Sequence, residues 1–308
     1  MSMNGAQVRV VDPILTQHAR GYTNAGFIGH YLFPEVDMPT RAAKRIEFDR
    51  SSFRRRRTRR APGAQIAALE FGYEGKAVSL HQEALSAVTP IEHQQEAGEV
   101  PGIDLLQVGV DTVLAVIAME KEIQQAEVAR NAGSYAASNK LVLTGDNKWS
   151  DPDSDPLTQV SDAKETIRAR IGRRPNTLVI TGGLTTDLQK HPKIREHFKH
   201  TTSSTITIQM LQSYFDVQNV VAGDGIYDTD AGTVDIWGSD AILAWVPPAG
   251  QRQMPLPSYG YTYRLRGHPL VEPARWDGDI RSWKNDVLDE FSAELVGADA
   301  GFLFQGAR

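Results

Sequence analysis

The stretch from Ile103 to Asn131 reads as one uninterrupted helix, and a helix of that length constrains everything around it. Leu106, Val110, Val113, Leu114 and Ile117 recur at intervals of three and four, and Leu105, Val108, Val116, Met119 and Ile123 fill an adjacent stripe. At about 1.5 Å per residue the rod spans on the order of 40 Å, more than one small core can cover. Pro101, Gly102 and Asp104 suit its start and Gly133 its end. After Met119 the composition turns to EKEIQQAEVARN, so the second half is expected to face solvent or other chains. The competing reading is a buried core helix of an ordinary enzyme.

With 308 residues the chain can bury a sizeable core and form one large or two ordinary domains. No run of 18 apolar residues occurs, and MSMNGAQVRVVDP lacks the charged-then-apolar pattern of a secretion signal, so the chain is expected to stay in the cytoplasm where it is made. The absence of cysteine rules out disulfides, thiolate nucleophiles and cysteine metal sites. A net charge of −5 hides an asymmetry: residues 41 to 60 hold ten Arg or Lys against Glu47 and Asp49, a local +8, which leaves −13 for the other 288 residues.

In order, residues 1 to 40 mix Gly, Asn and Pro with scattered apolar groups such as Tyr22, Phe27, Tyr31 and Phe33, without lasting periodicity. That predicts an extended arm packed on another surface, including that of a second copy. Loose alternation through Ile46 and Phe48, and again through Ile66, Leu69, Phe71, Tyr73, Val78 and Leu80, predicts two strands of a long hairpin with a basic distal part. Residues 138 to 160 read as a turn-rich loop. Helices are then expected over Asp162 to Ile171, over Leu184 to His200 with a break at Pro192, and near Ile208 to Phe215. Strands are expected at Leu178 to Thr181 and in VQNVVAG, TVDIWG and AILAWVPP, and further strands after Tyr259 return to the long helix.

The succession RRPNTLVITGGLTTDLQKHPKIREHFKHT, MLQSYFDVQNVVAGDGIYDT and VDIWGSDAILAWVPP resembles the central domain of the major capsid proteins of tailed bacteriophages, those of the Hong Kong 97 fold. The resemblance extends over most of the chain and is best from Pro156 to Pro248. It implies an α+β fold with an N-terminal arm at 1–40, an extended loop formed by the basic hairpin at 41–80, and an axial domain at 151–250. A peripheral domain would comprise 81–150 and 251–308 and include a spine helix at 103–131. It also implies pentamers and hexamers of the chain in an icosahedral virion shell around double-stranded DNA, assembled in the cytoplasm of a bacterial host. Scaffold, portal and decoration proteins are possible further partners. No long helical extension precedes the arm, so any scaffold is expected to be encoded separately.

Candidate chemistry is sparse. His197 and His200 lie three apart in HPKIREHFKH with His191 nearby, but only Glu196 offers an acidic partner, and a polar helix face is the expected role. Asp151, Asp153 and Asp155 have the spacing of the first ligands of a calcium loop, yet Pro156 stands where glycine is needed and Asp162 where glutamate is usual. A solvated acidic loop is expected there. The acid pairs Glu120 with Glu122 and Glu290 with Glu294 carry no site signature. No Walker loop, GxGxxG or GxSxG occurs. The reading is of a non-enzyme with no catalytic, cofactor or metal residues.

The chemistry that stands out is the run Arg54, Arg55, Arg56, Arg57, Arg59 and Arg60. A guanidinium fork takes carboxylate or phosphate equally well, so these residues are expected to contact an acidic neighbouring subunit or to bind nucleic acid, with a solvated basic loop tip as the third reading. The block is short, the chain around it is acidic, and only Phe48 and Phe53 interleave as aromatics, which favours the inter-subunit role. The alternatives are a nucleic-acid-binding protein using this loop, or an α/β enzyme with an unrecognised site.

Overall fold

The computed structural model describes residues 12–21, 26–46, 59, 75–98, 104–199, 205–251 and 258–308. Helix α1 (Pro13–Gly21) and strand β1 (Glu35–Met38) come first. Strands β2 (Ala42–Ile46), β3 (Gly75–Ser79) and β4 (His81–Pro90) lead into helices α2 (Ile91–Gly98) and α3 (Leu105–Arg130). Then follow β5 (Lys140–Val142), α4 (Pro156–Ile171), β6 (Thr177–Thr181), α5 (Gly182–Lys190), α6 (Pro192–His197) and α7 (Ile208–Phe215). Strands β7 (Asn219–Gly223), β8 (Ile226–Thr229), β9 (Gly232–Asp235) and β10 (Ala241–Ala244) precede β11 (Gly260–Leu265), β12 (Leu270–Val271), β13 (Arg275–Asp277), β14 (Ser282–Leu295) and β15 (Gly301–Gln305).

Two sheets organise these elements. The first is built on the 14-residue strand β14, which pairs antiparallel with β11, β12, β13 and all ten residues of β4, while β1 joins β11 in parallel. The second has the order β5-β15-β10-β6-β7 and mixes parallel and antiparallel pairs. Its strands β6 and β10 are buried at every residue because α4, α5 and α7 cover it. It draws β5 and β15 from outside residues 151–250, so the α/β layer is not one contiguous stretch of chain.

Helix α3 joins the two, and its length follows from that task. Its first half places Val110, Val113, Leu114 and Ile117 in a small core with Ala87 of β4 and with Val287 and Phe291 of β14. Its last turns place Ala126 and Ala129 in the larger core of the second sheet, with Trp237, Tyr259 and Phe304. The Asp104 carboxylate caps its start by accepting the Leu106 N–H at 3.0 Å, and Asn131 ends it by accepting the Gly133 N–H, also at 3.0 Å. Pro101, Gly102 and Ile103 lie outside the described residues.

The charged half of α3 faces solvent only in part: Glu120 and Glu127 are exposed as its composition predicts, but Glu122 is 3% exposed and Gln125 1%. The stretch read as an unperiodic arm includes α1, started by Asp12, whose carboxylate accepts the Leu15 N–H at 3.0 Å, and Phe33 of that stretch is fully buried. Tyr22 lies outside the described residues. Helix α4 starts six residues before the expected Asp162. Its cap is Asp155, Pro156 is its first residue, and Gly172 closes it at φ 68°, a left-handed conformation that favours glycine. Strands β2 and β3 pair from Ala42↔Ser79 to Ile46↔Gly75, the base of the expected hairpin. Phe48, Ile66, Leu69, Phe71 and Tyr73 lie outside the described residues.

Candidate assembly site

Residue pair Ile46↔Gly75 marks where the chain carrying the arginine run leaves and returns. Of that run Arg59 is described, and it is exposed. Arg54, Arg55, Arg56, Arg57 and Arg60 lie outside the described residues.

What holds the base of that loop is another arginine, which sequence reasoning passed over. Arg41 donates from Nε and Nη2 to the two oxygens of Glu290, each at 2.7 Å. The fork is the geometry that suits guanidinium and carboxylate, and the Glu290 carboxylate holds the Arg41 guanidinium above its ordinary pKa. Glu290 is buried on β14, with His268 Nε2 3.6 Å from its Oε1. The Leu80 N–H donates to the Arg41 carbonyl at 2.9 Å, so the hairpin base is tied both to β14 and to the start of β4. Glu290 stood in the sequence as an acid within a strand. Its signal was a carboxylate on the same long strand as Val287 and Phe291.

Three further charged joints fix the elements around α3. Glu122 accepts the Ile28 N–H at 2.9 Å and the Trp237 indole N–H at 2.7 Å on Oε1, and the Gly29 N–H at 2.9 Å on Oε2. Glu35 on β1 accepts from Lys121 at 2.6 Å and from Arg264 at 3.2 Å, and Arg264 forks onto Asp289 of β14. Burial pushes the Glu35 carboxyl up, but the Lys121 ammonium and Arg264 guanidinium outweigh it and hold the group below its ordinary value. At the far end of α3, Arg130 donates to Asp240 at 2.8 Å, and Asp240 also accepts the Gly306 N–H at 2.8 Å. Beside it the hydroxyls of Tyr135 and Tyr259 meet, and desolvation raises both phenol pKa values.

Several of the other candidate residues have structural roles. Asp151 accepts the Asp153 N–H at 2.9 Å, Asp155 caps α4, and the Lys193 ammonium sits on the Asp153 and Ser154 carbonyls at 2.6 and 2.7 Å. His191 is buried, not on a polar helix face: its Nε2 lies 3.0 Å from the Asp151 carbonyl and 3.2 Å from Ser154 Oγ, and desolvation lowers its pKa. His197 packs edge-on against Tyr214 with ring centroids 5.3 Å apart. His200 lies outside the described residues. Among the described residues, no group of three or more His, Asp or Glu converges on a point that a metal ion could occupy.

The arrangement is one of joints between elements, with charged groups spent on geometry. Comparisons with known proteins give the family. The family model for phage major capsid protein E matches residues 134–283. The major capsid protein of Burkholderia phage BcepMu is 36% identical over 305 residues, 98% of each chain. The crystal structure of a phage-related protein from Bordetella bronchiseptica superposes with a TM-score of 0.84 at 40% identity, covering 98% of both chains. The capsid of cyanophage P-SCSP1u shares the fold alone, at a TM-score of 0.57 and 8% identity over 92% of each chain. The fold is that of Hong Kong 97-like capsid proteins, an α+β arrangement. With more than a third of its residues shared over its whole length, the chain belongs to the bacteriophage major capsid protein family.

Proposed function

We propose that this chain assembles in many copies, as pentamers and hexamers, into the icosahedral shell that encloses the double-stranded DNA genome of a tailed bacteriophage. The observation that carries the reading is the 36% identity to a phage major capsid protein across 98% of both chains. The protein acts by assembly and not by turnover, and the reading calls for no cofactor. In this reading 1–40 is the arm, 41–80 the extended loop, 151–250 the axial domain, and 81–150 with 251–308 the peripheral domain. Shells form in the host bacterial cytoplasm and persist in the virion, with scaffold, portal and decoration proteins as further partners.

The run Arg54, Arg55, Arg56, Arg57, Arg59 and Arg60 is then a contact between neighbouring subunits. Its support is electrostatic: a +8 stretch in a chain that is −13 elsewhere, carried on a hairpin whose base Arg41 clamps to β14. Light scattering after size exclusion, with negative-stain imaging of the purified protein, tests the shell reading. Capsomers or closed particles are the expected result, and a strict monomer at every ionic strength would sink it.

A further inference from the structure

The α/β layer is electrically two-ended. Nine Lys or Arg fall from Lys164 through Lys199, and none in residues 200–251, where Asp216, Asp224, Asp228, Asp230, Asp235 and Asp240 fall. The fold turns that order into geometry. Residues just before β6 and β7 and just after β10 meet at one end of the sheet, because Thr177 pairs with Asn219 and with Ala244. The β8–β9 hairpin follows β7 and so leaves from the other end, roughly 16 Å away at about 3.3 Å per residue.

At the first end lies a groove of about 650 Å³ lined by Arg173, Arg174, Asn176, Gln218 and Trp245. Its walls are held in place. The Arg173 guanidinium lies 5.0 Å above the Trp245 ring, and the Asn176 side chain is fixed by donating to the Val246 carbonyl at 2.8 Å and accepting the Val246 N–H at 2.9 Å. Asp216 lines the same groove and takes Lys164 at 2.8 Å, while Glu165 beside it takes Arg168 at 2.7 Å with Arg174 at 3.5 Å, so both carboxylates are already engaged. With Arg173 and Arg174 against Asp216 on its walls, the groove carries a net positive charge.

At the second end, β8 and β9 pair only with each other among the described residues. A lone two-stranded ribbon is marginal in water, and this one leaves Ile226 57% and Val234 42% exposed among Asp224, Asp228, Asp230 and Asp235. An apolar, acidic ribbon at one end and a positive, aromatic-walled groove at the other complement one another, but not within one molecule. We infer that the groove before β6 and β7 receives the β8–β9 hairpin of a second copy of this chain, so that copies join head to tail. Such a heterologous contact closes into a ring when the rotation between copies closes. The inference rests on the shell reading and names the surfaces that meet within a ring of subunits.

The test is a charge swap in the full-length protein. Arg173→Glu with Arg174→Glu, and separately Asp228→Lys with Asp230→Lys, should each raise the protein concentration for half-assembly by about tenfold or more, since like charges then face each other. All four changes together should restore it to within about threefold. Because the chain has no cysteine, Gln218→Cys with Ala231→Cys gives a second measurement. A short thiol-reactive cross-linker should yield a covalent ladder only when both thiols are present, and no ladder would overturn the inference. Reversed variants that assemble like the wild type, or a quadruple variant no better than the doubles, would also overturn it while leaving the shell reading intact. A wild type that never leaves the monomer would sink both. Normal assembly of the Arg173/Arg174 variant with loss of binding to a short DNA duplex would make the groove a phosphate site and overturn the inference.

Discussion

Glu122 and Trp237 meet at 2.7 Å, carboxylate to indole N–H, across 115 positions of sequence. The same carboxylate gathers the backbone N–H groups of Ile28 and Gly29, so one side chain of α3 holds the segment before β1 and the turn before β10 in a fixed relation.

Replacing Glu122 by Ala should therefore strand three donors in a buried site. The expected loss is on the order of 3 kcal/mol or more, since each unsatisfied buried donor costs about 1–3 kcal/mol. Gly29→Ala should act at the same place by crowding, because a Cβ there would overlap the buried Gln125 amide and stand 2.8 Å from Glu122 Oε2. Overpacking of this kind costs about 1–3 kcal/mol. Urea denaturation of each variant measures both, and an unchanged midpoint for Glu122→Ala would refute the assignment.

Arg41→Ala leaves the buried Glu290 carboxylate without its fork. Backbone amides of β2 and β3 should exchange faster, and the urea midpoint should fall. Adding Glu290→Gln should recover much of the loss, because the penalty lies in the stranded charge and the two changes are not additive. Additive losses in the double variant would show that the pair does not act as a unit.

How much of this was readable in the sequence depended on whether the cause was local. The long helix was legible to within two residues at each end from its spacing and from Asp104, although Asn131 and not Gly133 ends it. The hairpin base at β2 and β3 was legible from alternation. The start of α4 was encoded too, since Asp155 before Pro156 is a cap followed by a first-turn proline, in a stretch whose alternating aspartates also mimic a calcium loop. Burial of Glu122 and Gln125 was not legible. EKEIQQAEVARN is a solvent-facing composition until a distant segment supplies donors such as the Ile28 and Gly29 N–H groups and an acceptor such as Thr262 Oγ1. The joints Arg41 to Glu290 and Arg264 to Glu35 span 249 and 229 positions, and no local pattern encodes such pairings.

Arg55→Ala, Arg56→Ala and Arg57→Ala together should impair shell formation in the absence of DNA, and moderate salt should weaken the same step by screening. Negative-stain counts of empty particles give the answer. Normal empty shells accompanied by poor DNA retention and a shallower dependence of DNA affinity on salt would reassign the run to the genome.

Stability should fall with acid in a way that Glu35 helps to set. Its carboxyl is held below the ordinary value of 4.5 in the folded chain, so its contribution is complete above that pH and is lost as the pH falls through the depressed folded value. The stability gap between wild type and Glu35→Gln should accordingly be widest near neutrality and narrow below pH 4.5. A gap that stays constant from neutral pH to below that range, measured by urea denaturation at each pH, would exclude Glu35 as the titrating group.

Strand β15 stands second in its sheet, between β5 and β10, yet it follows every other strand of that sheet in the chain. Until residues 301–305 emerge, β5 has no strand to pair with, and the edge of β10 that β15 will cover stays bare. A nascent chain therefore withholds its finished α/β layer until synthesis has passed Gly301. Fragments cut short by premature termination lack the strand that joins β5 to β10, and their α/β layer stays unfinished.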